Sequence, residues 1–172
     1  MADDECFMRV ALQEATLALE KGEIPVGAVA VYQDRIIGRG HNTKETLCDP
    51  TAHAEMIALR QAAAARKGWR LLGVTLYCTL EPCPMCAGAL VQARLFRLVY
   101  AVTDSKSGAA GSVVDLVRDS RFNHCVQVTR GILENEAQSL LAEFFRGLRS
   151  GDIPRHSEAW KSRQLAENDD SL

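Results

Sequence analysis

No stretch of this sequence stays apolar for the roughly 20 residues that a membrane-spanning helix needs. The opening MADDECFMRVALQ has no basic segment leading into an apolar core, so no export signal is read there. Together these absences predict a cytoplasmic protein with no membrane partner. A dominant charge is missing too: 20 Lys and Arg against 22 Asp and Glu leave a formal net charge of −2, which excludes a general basic coat for nucleic acid. With five prolines, 6% aromatic residues and no internal repeat or low-complexity tract, nothing marks a linker or a repeat array. Six cysteines could form disulfides in a secreted chain, but without an export signal they are expected as reduced thiols, with Cys6, Cys48, Cys78 and Cys125 buried or incidental.

What is present is ample for one core. Of 172 residues, 47% are apolar and 24% charged, the profile of an ordinary globular domain. The expected organisation is one domain over residues 1–150 and a tail over 151–172, where the Trp160 segment adds a helical turn or stays mobile. Between Phe144 and Arg163, five basic residues (Arg146, Arg149, Arg155, Lys161, Arg163) stand against two acidic ones, a local balance of +3. That is either a solvated helix face or a focal basic patch.

Two short stretches carry the chemistry: Thr51-Ala52-His53-Ala54-Glu55 and Glu81-Pro82-Cys83-Pro84-Met85-Cys86. An imidazole and two thiols make three zinc ligands, and a catalytic zinc keeps its fourth corner for water. Cys83 and Cys86 are three apart, so a first helical turn can aim both sulfurs at one point. His53 and Glu55 are two apart, nearly opposite in mid-helix, so they can share a centre only at a helix end. Asp49 as N-cap with Pro50 as first helical residue is expected to supply that end, and Pro84 to open the second helix. A redox dithiol would leave His53 and Glu55 without a role, and a closed structural site would need a fourth ligand, for which Cys78 is the nearest candidate.

The rest of the pattern alternates helix and strand. Phe7, Val10, Ala11, Ala15 and Ala18 recur at helical spacing over Asp4 to Lys21; Val26 to Tyr32 and Arg35 to Asn42 read as a hairpin turning at Gln33-Asp34. A helix to about Arg66 stopping at Gly68, a strand from Leu71 to Thr79, the helix from Pro84 and a strand from Leu95 to Thr103 follow. Asp104 to Ser112 reads as a loop that could rim a substrate site through Asp104 and Lys106; a brief strand spans Val126 to Thr129, and Leu133 to Leu148 form a last amphipathic helix. Helices between strands predict an α/β layered fold with some parallel pairing.

Water on such a zinc ionises near neutral pH, and Glu55, free of the metal, can move protons. That combination suits hydrolytic deamination. The order H-x-E then P-C-x-x-C is the established signature of zinc deaminases, and the chain resembles that family. Pro25-Val26-Gly27-Ala28-Val29, Asn42, the block from Asp49 to Glu55, Thr79-Leu80-Glu81-Pro82-Cys83, Met85-Cys86-Ala87-Gly88-Ala89, Asp104-Ser105-Lys106, Gly108-Ala109-Ala110-Gly111-Ser112 and Phe144-Phe145-Arg146 are similar to its bacterial tRNA-specific adenosine deaminase members. The resemblance implies a cytidine deaminase-like three-layer α/β/α fold on a mixed, roughly five-stranded sheet. It also implies a homodimer with one Zn2+ per subunit that converts adenosine to inosine at the wobble position of a tRNA anticodon stem-loop. His53, Cys83 and Cys86 would hold the metal and Glu55 would be catalytic. Asn42 and Ala54 would meet the flipped base, while Asp104, Lys106, Phe144, Phe145 and Arg149 would lie along the anticodon loop. The alternatives are a deaminase of a free base or nucleotide (cytosine, guanine or deoxycytidylate) and a noncatalytic zinc module that binds RNA. Glu55 argues against the latter, since a structural site has no use for an unligated carboxylate.

Overall fold

A computed structural model describes residues 4–153. The expectations for Trp160 and for the basic residues Arg155, Lys161 and Arg163 lie outside the described residues. The elements run α1 (Asp4–Glu20), β1 (Gly27–Tyr32), β2 (Arg35–His41), α2 (Lys44–Leu47), α3 (Ala54–Ala65), β3 (Thr75–Leu80), α4 (Pro84–Gln92), β4 (Arg97–Val102), β5 (Gln127–Arg130) and α5 (Glu134–Ser150). The strands form one five-stranded sheet in the order β2-β1-β3-β4-β5. β1 pairs antiparallel with β2 and β3, whereas β3, β4 and β5 run parallel, so the expected mixed sheet is observed.

Side-chain alternation along the strands divides the core. Val29, Val31, Tyr77, Val99 and Ala101 point to one face, where Phe7, Met8 and Ala11 of α1 and Ala137 of α5 cover them. Ala28, Ala30, Leu76, Cys78, Leu98 and Tyr100 point to the other, under Ala54, Ala58, Leu59 and Ala62 of α3 and Ala87, Leu90 and Val91 of α4. The result is three layers, α/β/α. The small residues of α3 let it lie close to β2, where a Cβ on Gly38 or Gly40 would overlap the Ala58 or Ala54 carbonyl. That approach sets the start of α3 beside the end of β2.

The hairpin turns at Gln33 and Asp34, whose φ values of 49° and 58° give the left-handed pair a tight two-residue connection needs. Several expected boundaries move. Helix α3 begins at Ala54, not Pro50, because the Asp49 carboxylate is engaged in a turn: Thr51 N–H and Oγ–H both donate to its Oδ1 at 2.7 Å. The single-turn α2, too short to show a period, was not foreseen. β3 starts at Thr75 rather than Leu71, after a turn through Gly73 at φ 75°. Lys67, at φ 53°, takes the left-handed position after α3 that Gly68 was expected to fill. Among the described residues no helix is long and apolar enough to cross a membrane.

Candidate metal centre and active site

The strand ends bring the site together. β3 delivers Glu81-Pro82 to Cys83, the N-cap of α4, with Pro84 and the buried Cys86 in its first turn. His53 is the N-cap of α3, with extended backbone (φ −80°, ψ 152°), and Glu55 lies in that helix's first turn. The end-of-helix requirement for this pair is therefore met, by His53 itself rather than by Asp49. His53 Nδ1 stands 3.7 Å from the sulfurs of both Cys83 and Cys86, and the three donor atoms lie within 4.8 Å of one another. A tetrahedral zinc with Zn–N about 2.0–2.1 Å and Zn–S about 2.3 Å has an N···S edge of about 3.6 Å. The donor set therefore fits zinc. Cys78 is not a fourth ligand: its buried thiol donates to the Leu80 carbonyl at 3.0 Å, and it does not belong to the donor cluster.

A hydrogen bond from Cys86, aided by His53 and opposed by burial, brings the Cys83 thiol down to about 4. The same bond drives Cys86 strongly upward, with burial adding to it. The Cys83 bond also raises His53. Both helix N-termini point their positive ends at this cluster, which favours thiolate. Glu55 is only 4% exposed, and burial raises its carboxyl above the usual range.

A cleft of about 160 Å³ opens onto the cluster. Ile24, Val26 and Leu80 form apolar wall, His53, Glu55, Cys83 and Asn42 its chemistry, and Lys44, Asp104, Ser107 and Glu81 complete the lining. A larger hollow of about 820 Å³ lies at the opposite strand ends, around Asp4, Tyr77 and Arg97, and lacks the metal cluster.

Two buried carboxylates organise this lining. Glu23, fully buried, accepts from Asn42 Nδ2 at 3.3 Å and from Thr46 N–H at 2.7 Å, fixing one side of the Asn42 amide. Glu81, 2% exposed, accepts from the N–H groups of Asp104 (3.0 Å), Ala110 (2.9 Å) and Ser112 (3.1 Å) and from the Ser112 hydroxyl. It thereby ties the loop after β4 down onto the metal segment.

Of the residues singled out in the sequence, His53, Glu55, Cys83, Asn42 and Asp104 line the cleft. Cys86 lies in the first turn of α4, and Ala54 is buried as the first residue of α3. Lys106 is exposed in the loop, its N–H held by Asp104 Oδ1 at 2.9 Å. Phe144 is buried on α5, edge-on to the exposed Phe145 at 5.4 Å between ring centres, and Arg149 is exposed in the last turn. Lys106 and the three α5 residues do not line the cleft. The sequence alone assigns no role to Glu23, Lys44, Ser107 or Glu81. Glu23 and Glu81 bond to residues 19 to 31 positions away, Lys44 lies in an element too short to show a period, and Ser107 bonds to Asp104 within an aperiodic loop.

The family of the cytidine and deoxycytidylate deaminase zinc-binding region matches this chain over residues 1–102. The chain belongs to this deaminase family. Within it, the chain is 48% identical over 149 residues to the tRNA-specific adenosine deaminase of Bacillus subtilis, covering 87% of this chain and 92% of that protein. A solved structure from a study of A-to-I editing by tRNA:A34 deaminases at the wobble position of transfer RNA superposes with a TM-score of 0.76 at 44% identity, over 78% of this chain and 98% of that one. A guanine deaminase from Bacillus subtilis matches at a TM-score of 0.58 and 38% identity, over 64% and 71% of the two chains. The cytidine deaminase-like fold expected from the sequence is thus the fold found.

Proposed function

We propose that this chain is a zinc-dependent hydrolase that converts adenosine to inosine at the wobble position of tRNA anticodons. The observation that carries the reading is the buried Glu55 in a cleft with His53, Cys83 and Asn42, in a chain 48% identical to a tRNA-specific adenosine deaminase. His53, Cys83 and Cys86 would hold one zinc per subunit, and that metal would supply the Lewis acidity that lowers the pKa of a water from about 15.7 toward 7.

The chain's own residues do the rest. Glu55 accepts a proton from the attacking water and passes it to a ring nitrogen of the base. The water oxygen bonds to the carbon that bears the exocyclic amine, and its remaining proton goes by the same carboxylate to that amine. The C–N bond then breaks, ammonia leaves, and the water oxygen remains as the carbonyl of inosine. A carboxyl raised by burial is suited to holding a proton in transit. Asn42 spends one N–H on Glu23, which leaves its Oδ1 and second N–H for the base. Ile24, Val26 and Leu80 pack against the base and keep out water.

A single-stranded anticodon loop lets a base be extruded cheaply. Asp104, Lys106, Phe145 and Arg149 supply polar, basic and aromatic groups for that loop, while Phe144, buried in this conformation, seats Phe145. The functional unit in this reading is the domain over 1–150, working as a cytoplasmic homodimer, with the tail over 151–172 outside the chemistry. The test incubates the zinc-loaded protein with an adenosine-34 anticodon stem-loop and, separately, with free adenosine, cytosine and guanine, reading products by mass spectrometry. Inosine in the stem-loop with negligible turnover of free bases is expected. The likeness to guanine deaminase favours one second reading: efficient turnover of free guanine, with the stem-loop untouched, would replace the RNA assignment by a free-base deaminase.

A further inference from the structure

Three acidic residues (Glu55, Glu81, Asp104) and one lysine, Lys44, are among the described residues that line the cleft. An RNA substrate enters with its phosphates, so the placement of that cation matters. Lys44 opens α2 immediately after Thr43, and α2 is anchored on both sides: Thr43 N–H donates to the Ala52 carbonyl at 3.1 Å, and Thr46 N–H to buried Glu23 at 2.7 Å. Glu23 also holds the Asn42 amide. One buried carboxylate therefore fixes the offset between a group that meets the base and the backbone that carries Lys44. Among the described residues the ammonium is ion-paired with Glu45 alone, at 3.4 Å with the two side chains 38% and 43% exposed, and a pair that open to solvent is worth little. It is thus available to a stronger anion.

We propose that Lys44 is a substrate-positioning residue that receives a backbone phosphate flanking the flipped nucleotide, at the mouth of the cleft. This rests on the RNA reading above. With the base against Asn42 and Glu55, the sugar-phosphate must leave through the mouth, where Lys44 is the basic side chain among the lining residues. Its charge offsets the acidic lining that would otherwise repel the phosphate. The contact is of the point-charge kind, so arginine should substitute for it and glutamine should not.

The test measures binding of the zinc-loaded protein to a fluorescent anticodon stem-loop across a series of KCl concentrations, with Lys44→Gln and Lys44→Arg beside the wild type. Lys44→Gln should weaken binding roughly three- to ten-fold at moderate salt and lower the slope of log affinity on log salt by about 0.7, the loss of one single-strand phosphate contact. Lys44→Arg should keep both affinity and slope, and zinc content and thermal melting should match the wild type in both variants. A wild-type slope and affinity in Lys44→Gln would overturn the proposal, even with the protein fully active on RNA. If instead adenosine 5′-monophosphate competes and loses its grip in Lys44→Gln while the stem-loop slope is unchanged, Lys44 serves a free nucleotide and the RNA contact is wrong. A wild type that neither binds nor deaminates the stem-loop fails the underlying reading, a result distinct from either.

Discussion

At the residue scale, the site separates groups that hold the metal from groups that move protons. Glu55 is outside the donor cluster formed by His53, Cys83 and Cys86, so Glu55→Ala should keep full zinc content by elemental analysis while turnover falls by at least about 10²-fold, the lower end of general acid-base help. Cys83→Ala removes a ligand, and because metal-binding energy is also folding energy, zinc and thermal stability should drop together. A zinc-free Glu55→Ala protein would move that carboxylate into the ligand set. Glu81 makes a different prediction. Its carboxylate is the acceptor for three loop N–H groups and a hydroxyl, so Glu81→Ala leaves the buried Ala110 N–H without a partner, at about 1–3 kcal/mol, and frees the part-buried donors of Asp104 and Ser112 to water. Hydrogen exchange should show Asp104, Ala110 and Ser112 opening first, with α1 still protected. Protection unchanged at those three amides would show that the loop holds itself.

At the scale of elements, the start of α1 is tied to the sheet through Asp4. Asp4 accepts from Arg97 at 2.9 and 2.7 Å and from the Tyr77 hydroxyl at 2.9 Å, and the Arg97 bond, against opposing burial, holds its carboxyl below the usual range. A depressed carboxyl stabilises the fold fully above its unfolded pKa of about 3.9 and loses that contribution as pH falls through the lower folded value. Asp4→Asn should therefore cost about 1 kcal/mol at pH 7 in urea denaturation, with a smaller difference from wild type at pH 3. An equal gap at both pH values would assign the loss to packing. The long elements of this fold were legible because each carries its own period: α1, α5 and the β1–β2 hairpin lie within a few residues of where apolar spacing and turn residues put them. The metal trio was legible because ligand types at helix starts follow local rules. What escaped depends on bonds between distant or aperiodic residues. Asp49 could cap a helix or close a turn, and only its bonds to Thr51 decide which. Glu23 reaches Asn42 across 19 positions, and Glu81 reaches Ser112 across 31, so neither hub has a local signal.

At the scale of the whole molecule, the unsettled surface is the outer side of α4, the helix that starts at the metal. Cys86, Ala87, Leu90 and Val91 turn inward, whereas Met85, Gly88 and Ala89 are only half-buried, and a Cβ on Gly88 would meet nothing within 4 Å. A small-residue, apolar strip on a helix that carries two metal ligands is a surface a two-fold partner could cover, in keeping with the proposed homodimer. Gly88→Arg tests this cleanly. Within the subunit the arginine has room, and leaving glycine in a helix interior should stabilise the fold by up to about 1 kcal/mol. Across an isologous interface the same charge would appear twice on facing surfaces and would be desolvated. The expected variant therefore binds zinc, melts no lower than the wild-type subunit, and runs as a monomer in light scattering with deamination of the stem-loop lost. A Gly88→Arg protein that remains dimeric and active would take α4 out of the interface. A monomeric one that remains fully active would show that each subunit carries a complete site.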